Sequence, residues 1–235
     1  MSPERINPEG GEDRILLRQH IARYEFAAQF AKDQRVIDIA CGTGYGSAIL
    51  AKGSPREVIG IDISPGAIEE AKKRYTVSGV TFKQGSAETL SNYGQVGLIV
   101  SFETIEHVQQ SDMFLGAIAA AVGRDGTAIL STPVRLRGTL LDKPENPYHV
   151  REWNVEEFRE LLSRYFRQSE ILYQYTYRKR WYPGSRTLAR TLAGILWRAE
   201  AGRIDAFSVR NSPPRIPGCL IAEGYVIGVC RQEGA

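Results

Sequence analysis

Five short β-rich runs in a regular order constrain this chain more than any other feature: "RVIDIA" (Arg35–Ala40), "EVIGID" (Glu57–Asp62), "VTFKQG" (Val80–Gly85), "VGLIVSF" (Val96–Phe102) and "GTAILST" (Gly126–Thr132). Helix-like segments separate them, over Gly46–Lys52, Pro65–Thr76, Ser86–Ser91 and Ser111–Val122. Parallel strands need such crossovers, whereas antiparallel ones can be joined by a turn of a few residues. The pattern therefore predicts an α/β fold with a mostly parallel sheet covered by helices on both faces. Apolar residues at helical spacing over Ile15–Phe30 predict a helix before the first strand. A later amphipathic helix, "NVEEFRELLSRYF", has Asn154 as its N-cap and Glu157 at capping-box spacing. Two further strands follow, "SEILYQYTY" and "LIAEGYVIGVCRQ".

Between these last strands lies Arg178–Gly218, far more than a hairpin needs. It has nine Lys and Arg residues against only Glu200 and Asp205, an amphipathic run "SRTLARTLAGILWRAE" and a proline-rich exit "NSPPRIPG". We read it as an insertion capping one end of the sheet. The chain then divides into an N-terminal helical cap (1–34), a core (35–177), a basic helical insertion (178–218) and a final strand (219–235), all one domain. With 235 residues, 43% of them hydrophobic, it can bury a full core. The longest apolar runs, "GLIV" and "AIAAAV", fall short of the roughly 20 residues of a membrane span, and no apolar signal core opens the sequence. No membrane span and a cytoplasmic location are expected. Cys41, Cys219 and Cys230 are odd in number and lack CxxC spacing, which argues for free thiols and against a zinc knuckle. A net charge of +3 does not by itself indicate nucleic-acid binding.

"VIDIACGTGYGS" reads as strand, glycine turn, helix start. Gly42 and Gly44 permit a tight turn and close approach of a ligand, and the helix N-terminus offers N–H groups to an anion. Asp62 ends the second strand 18 residues past Gly44, where an acid can bind both hydroxyls of a ribose. Ser47 stands where a dinucleotide fingerprint would have its third glycine, which argues against NAD.

In motif order, Val36 to about Phe166 resembles the class I S-adenosylmethionine (SAM) dependent methyltransferases: "VIDIACGTG", "IGIDIS", "FKQGSAE", "VSFETIEHV" and "STP". The resemblance implies a Rossmann-like seven-stranded sheet with the last strand antiparallel, and SAM as cofactor. By the same resemblance Gly42 and Gly44 would flank the methionine end of SAM, Asp62 would bind the ribose, Ser86 with Ala87 would border the adenine, and Asp38, Ala40, Ile63 and Phe102 would be further cofactor-binding residues. Ala40 replaces the usual first glycine and Ser86 the common aspartate. On this reading Gly44→Val is expected to cost SAM affinity and leave the fold intact.

The stretch "SFETIEHV" predicts a helix beginning at Glu103, directly after the fourth strand. Glu103, Glu106 and His107 would then be i, i+3 and i+4 on one face. Two carboxylates and an imidazole suit a hard divalent cation, Mg²⁺ or Mn²⁺, and His149 after the fifth strand is the candidate fourth ligand. The other reading makes His107 or His149 a general base without metal. The E-x-x-E-H pattern resembles the ubiquinone-pathway O-methyltransferases and the small-RNA 3′-terminal 2′-O-methyltransferases; His149 and Trp153 have the H-x-x-x-W spacing of the latter. The "TP…NPYHVREW…EEF" layout resembles bacterial sugar and glycan methyltransferases. These likenesses imply O-methylation of a small-molecule or oligosaccharide hydroxyl. An RNA ribose, a small-molecule amine and a SAM-binding protein without catalysis are the alternatives. The insertion is expected to serve acceptor binding or contact between subunits of a homo-oligomer. His20 reads as a surface or packing histidine, and Tyr24 as a candidate lid over the cofactor.

Overall fold

The computed structural model describes residues 14–134, 144, 146–179, 209–211 and 219–232. Helix α1 (Arg14–Ala28) leads into β1 (Arg35–Ile39), α2 (Tyr45–Leu50), β2 (Glu57–Asp62), α3 (Pro65–Arg74) and β3 (Val80–Gln84). There follow β4 (Val96–Phe102), α4 (Ser111–Ala121), β5 (Val122–Pro133), α5 (Val155–Ser163), β6 (Gln168–Lys179) and β7 (Cys219–Arg231). The strand order across the sheet is β3-β2-β1-β4-β5-β7-β6. The first five strands pair in parallel, and β7 is antiparallel to both β5 and β6. This is the seven-stranded Rossmann-like sheet that the motif order implies. The amphipathic run within 178–218 lies outside the described residues. Near its end, Arg210 exchanges backbone hydrogen bonds with Tyr173 and so covers part of the outer edge of β6.

The pleat sorts the buried strand residues onto two faces. Ile37, Ile39, Ile59, Ile61 and Ile99 pack with Leu115 and Ile118 of α4 and Phe158 and Leu162 of α5. Their neighbours Val36, Val58, Leu98 and Val100 pack with Tyr24 and Ala27 of α1 and Leu50 of α2. Strands buried on both faces read as unbroken apolar runs, which is why "VGLIVSF" shows no alternation. The edge strand β3 buries only Phe82 fully, and its burial alternates as a half-exposed strand should.

Asn154 forms the capping box: its side chain accepts from Glu157 N, and the Glu157 carboxylate accepts from Asn154 N, both at 2.9 Å. The expected helix over Ser86–Ser91 is a 3₁₀ segment, Ala87–Tyr93. The expected helix from Glu103 is also corrected. Glu103 itself turns left-handed (φ 51°), and only a single 3₁₀ turn, Ile105–His107, follows. A left-handed residue ends the strand sharply and cannot begin a right-handed helix. The fifth strand begins four residues earlier than expected, at Val122, with a register shift against β4.

Candidate active site

The cofactor candidates gather at the carboxyl ends of β1 to β4, where open α/β sheets bind their ligands. Asp62, at the end of β2, ties two turns together. Its Oδ2 accepts from Gly42 N and its Oδ1 from Ser64 N, both at 2.9 Å, while its carbonyl accepts from Gly85 N. This anchors the acid beside the glycine turn. Ile63, the next residue, is 73% exposed. Ser86 is the residue before the 3₁₀ segment, and Ala87 is buried. Ala40 adopts φ 63°, a left-handed value that glycine would take without strain.

Asp38 lies beneath this turn, fully buried. Tyr24 donates to its Oδ1 at 3.0 Å and Ser47 to its Oδ2 at 2.6 Å. Burial pushes its carboxyl up to about 7, the two hydrogen bonds oppose the rise, and Asp62 adds to it. Tyr24 thus reaches from α1 to the cofactor turn. Its ring lies in a cluster with His20, Tyr45 and Phe102, with centroids 4.9 to 6.2 Å apart. Its ring also fills the space over Gly46 that any Cβ would occupy. His20 is buried and bonded through Nδ1 to the Tyr45 hydroxyl, and burial holds it well below the usual imidazole range. It is a packing residue of the α1 interface.

The second cluster follows β4. Ligating atoms of Glu106, His107 and His149 all lie within 4.8 Å of one another. His149 comes from a distant loop, and two features hold it there. Val150 N and Arg151 N both donate to the Glu106 carbonyl, at 2.7 and 3.3 Å. Trp153, only 1% exposed, roots the loop in the core beside Phe158 and bridges to Val134. The H-x-x-x-W spacing therefore has a mechanical meaning: the tryptophan anchors the histidine's loop.

The histidine tautomers follow from their partners. His107 Nδ1 lies 3.0 Å from the Tyr148 carbonyl, which can only accept, so Nδ1 carries the proton. His149 Nδ1 lies 2.7 Å from Glu152 Oε1 and donates to it, and the Asn146 amide faces Nε2 at 3.0 Å. In both rings Nε2 is then the nitrogen with a lone pair. A carboxylate behind a histidine fixes the tautomer and orientation of the ring, as behind metal-ligating histidines. Glu106 Oε2 accepts from the Thr132 hydroxyl at 3.1 Å, but Oε1 is buried without a hydrogen-bond partner among the described residues. Burial, then Glu103, hold the Glu106 carboxyl well above its ordinary range. An unpaired buried oxygen beside two imidazoles fits a cation.

Glu103 does not belong to this triplet. Its Oε1 accepts from Ser131 at 2.9 Å and lies 3.6 Å from the Arg23 guanidinium of α1. Sequence reasoning passed over Arg23, Gln19, Asn146 and Glu152. The signal for Glu152 was present, three residues from His149 and paired with it across one turn.

Comparison with known proteins decides the family. A model described as "Methyltransferase domain" matches residues 30–182. The chain belongs to the SAM-dependent methyltransferases. Over 164 residues it is 30% identical to a SAM-dependent methyltransferase of Mycolicibacterium smegmatis, covering 69% of this chain and 63% of that protein. It is 32% identical over 131 residues to a ubiquinone biosynthesis O-methyltransferase of Azorhizobium caulinodans, covering 54% of this chain and 51% of the other. The matched region thus spans less than two thirds of these relatives. A SAM-dependent methyltransferase structure from Listeria monocytogenes superposes with a TM-score of 0.56 at 14% identity, over 94% of this chain and all of that one. At that identity it speaks for the fold alone. No helix among the described residues is long and apolar enough to cross a membrane.

Proposed function

We propose that this methyltransferase catalyses O-methylation of a hydroxyl on a sugar, glycan or other small metabolite, with a divalent cation held by Glu106, His107 and His149. The observation that carries the reading is the convergence of these three ligating atoms, with Glu106 Oε1 buried and without a partner among the described residues. The O-methyltransferase names among the relatives support an oxygen acceptor. SAM, bound along the turn of Gly42 and Gly44 with Asp62 on its ribose, supplies an electrophilic methyl. An aliphatic hydroxyl, with a pKa of about 15 like bulk water, is a poor nucleophile, and Mg²⁺ or Mn²⁺ would lower that value and fix the oxygen's position. The protein's own part is to exclude water and to hold the ligating groups in place. Glu152 keeps His149 in the tautomer whose Nε2 lone pair would face the cation, and Tyr148 does the same for His107.

The test combines turnover with metal binding. Profiling a metabolite and oligosaccharide library with methyl-labelled SAM should reveal an oxygen acceptor. Chelation should abolish that turnover, and Mg²⁺ or Mn²⁺ should restore it. Glu106→Gln keeps the shape but removes a ligand charge. Losing even an outer partner of a metal site costs about 10- to 100-fold in affinity, so calorimetric titration with Mn²⁺ should show at least that loss. SAM affinity should be unchanged. Full turnover in excess chelator, lost only with His107→Ala or His149→Ala, would replace the cation with a histidine base.

A further inference from the structure

Among the described residues, the whole Gln19 amide, Arg23 Nε, Ser101 Oγ and Glu106 Oε1 are buried without hydrogen-bond partners. Gln19 and Arg23 are each 1% exposed and stand at i and i+4 on α1, so they share one face of that helix. Gln174 of β6 clamps the pair. Its Nε2 donates to the Gln19 carbonyl at 3.1 Å, and its Oε1 accepts from Arg23 Nη1 at 2.6 Å. The Tyr225 ring lies under the guanidinium, 4.1 Å from Cζ. Arg23 is therefore held firmly in place, yet its side-on edge has no hydrogen bond among the described residues. Nε is unpartnered, and the nearest carboxylate oxygen to Nη2, on Glu103, is at 3.6 Å, beyond hydrogen-bonding reach.

Leaving a buried donor unpaired is costly, and a cluster of such groups at one end of a catalytic sheet is better explained by a ligand than by folding. The exposed edge of a guanidinium, Nε with Nη2, matches the two oxygens of a carboxylate. The Gln19 amide adds a further donor beside it. The opposite chemistry stands at Glu106, whose Oε2 accepts from the Thr132 hydroxyl and whose Oε1 has no partner among the described residues. We infer that Arg23 and Gln19 form the docking point of the acceptor and take a carboxylate, so that the preferred substrate is a hydroxy acid such as a sugar acid. This rests on the reading of the Glu106 end as the place of methyl transfer. It gives α1 a role apart from covering SAM: one face, Tyr24 and His20, meets the cofactor turn, and Gln19 with Arg23 meets the acceptor.

The experiment compares two sugars that differ only in the carboxylate, glucuronate and glucose, titrated by ligand-observed NMR into the full chain saturated with S-adenosylhomocysteine. Glucuronate should bind at least about tenfold more tightly, as one charge-assisted hydrogen-bonded pair provides. Gln19→Leu is the cleaner variant. It removes a buried amide that makes no hydrogen bond among the described residues, so it should not lower the melting temperature, yet it should weaken glucuronate severalfold and leave glucose unchanged. Arg23→Lys, which keeps the charge but loses the side-on fork, should abolish the preference. Equal affinity for the two sugars, binding of neither, or unchanged glucuronate affinity in Gln19→Leu would overturn the proposal. Mn²⁺ affinity of the parent and of Glu106→Gln, measured separately, distinguishes the failures. If Glu106→Gln weakens Mn²⁺ and the sugars are not discriminated, only the docking point is wrong; if Mn²⁺ affinity is the same in both, the reading of the Glu106 end fails as well.

Discussion

Gly44→Val should unfold the cofactor turn from within, lowering stability by about 2 to 5 kcal/mol. Two separate costs add at this position. The backbone sits at φ 89°, where an L side chain costs roughly 1 to 2 kcal/mol. A Cβ built there would come within 2.7 Å of Ala71 Cβ and 2.8 Å of the Phe82 ring. Those atoms belong to the small core under α3 and β3, which is tightly closed, and forcing groups into such a core costs about 1 to 3 kcal/mol. For a chain of this size the sum corresponds to a fall of about 10 °C in melting temperature, read by calorimetry. Gly44→Asn separates the terms. Asparagine tolerates left-handed backbone, but its Cβ meets the same atoms, so it should recover only part of the loss. A valine variant that melts like the parent and merely binds SAM weakly would show that this glycine serves the ligand instead.

That result would differ from what the glycine pattern alone suggests, and the reason shows which parts of a site a sequence can display. The alternation of β-rich runs and helices, the two-sided burial of "VGLIVSF" and the capping box of Asn154 all follow from periodicity and local chemistry, so the fold was legible almost strand by strand. Position 44 was recognisable as a glycine turn, but the direction its missing side chain would take depends on how α3 packs on β3. Similarly, "ETIEH" read as a helix because its charged residues fall at i, i+3 and i+4. The left-handed turn at Glu103 breaks that spacing, sends Glu103 towards Arg23, and leaves Glu106 and His107 to meet a histidine from over forty residues away. Arg23 and Gln19 carried no local signal at all. On a helix they look like solvent-facing residues, and only the tertiary contacts with Gln174 and Tyr225 reveal that both are buried.

Asp38 should make the protein lose stability as the pH rises from about 4 to about 7. Its carboxyl is raised from 3.8 to about 7 in the folded chain, chiefly by burial. Below the lower value both folded and unfolded chains hold the proton, and the fold has its full advantage. Between the two values the folded state keeps a proton that the unfolded state has released, so stability falls with rising pH; above about 7 both are ionised and the loss levels off. A displacement of this size corresponds to something on the order of 4 kcal/mol, a large share of a typical domain's stability. Glu106 is displaced in the same direction, so the slope of the parent protein does not isolate Asp38. Asp38→Asn does. The amide keeps an acceptor for Tyr24 and, by rotation of the Ser47 hydroxyl, a partner for Ser47, while it removes the buried ionisation. Urea melts at several pH values between 4.5 and 8 should show a shallower fall for Asp38→Asn than for the parent, and the variant should be the more stable of the two above pH 7. Parallel curves would mean that water reaches this carboxylate, and that α1, through Tyr24, does not seal the cofactor turn.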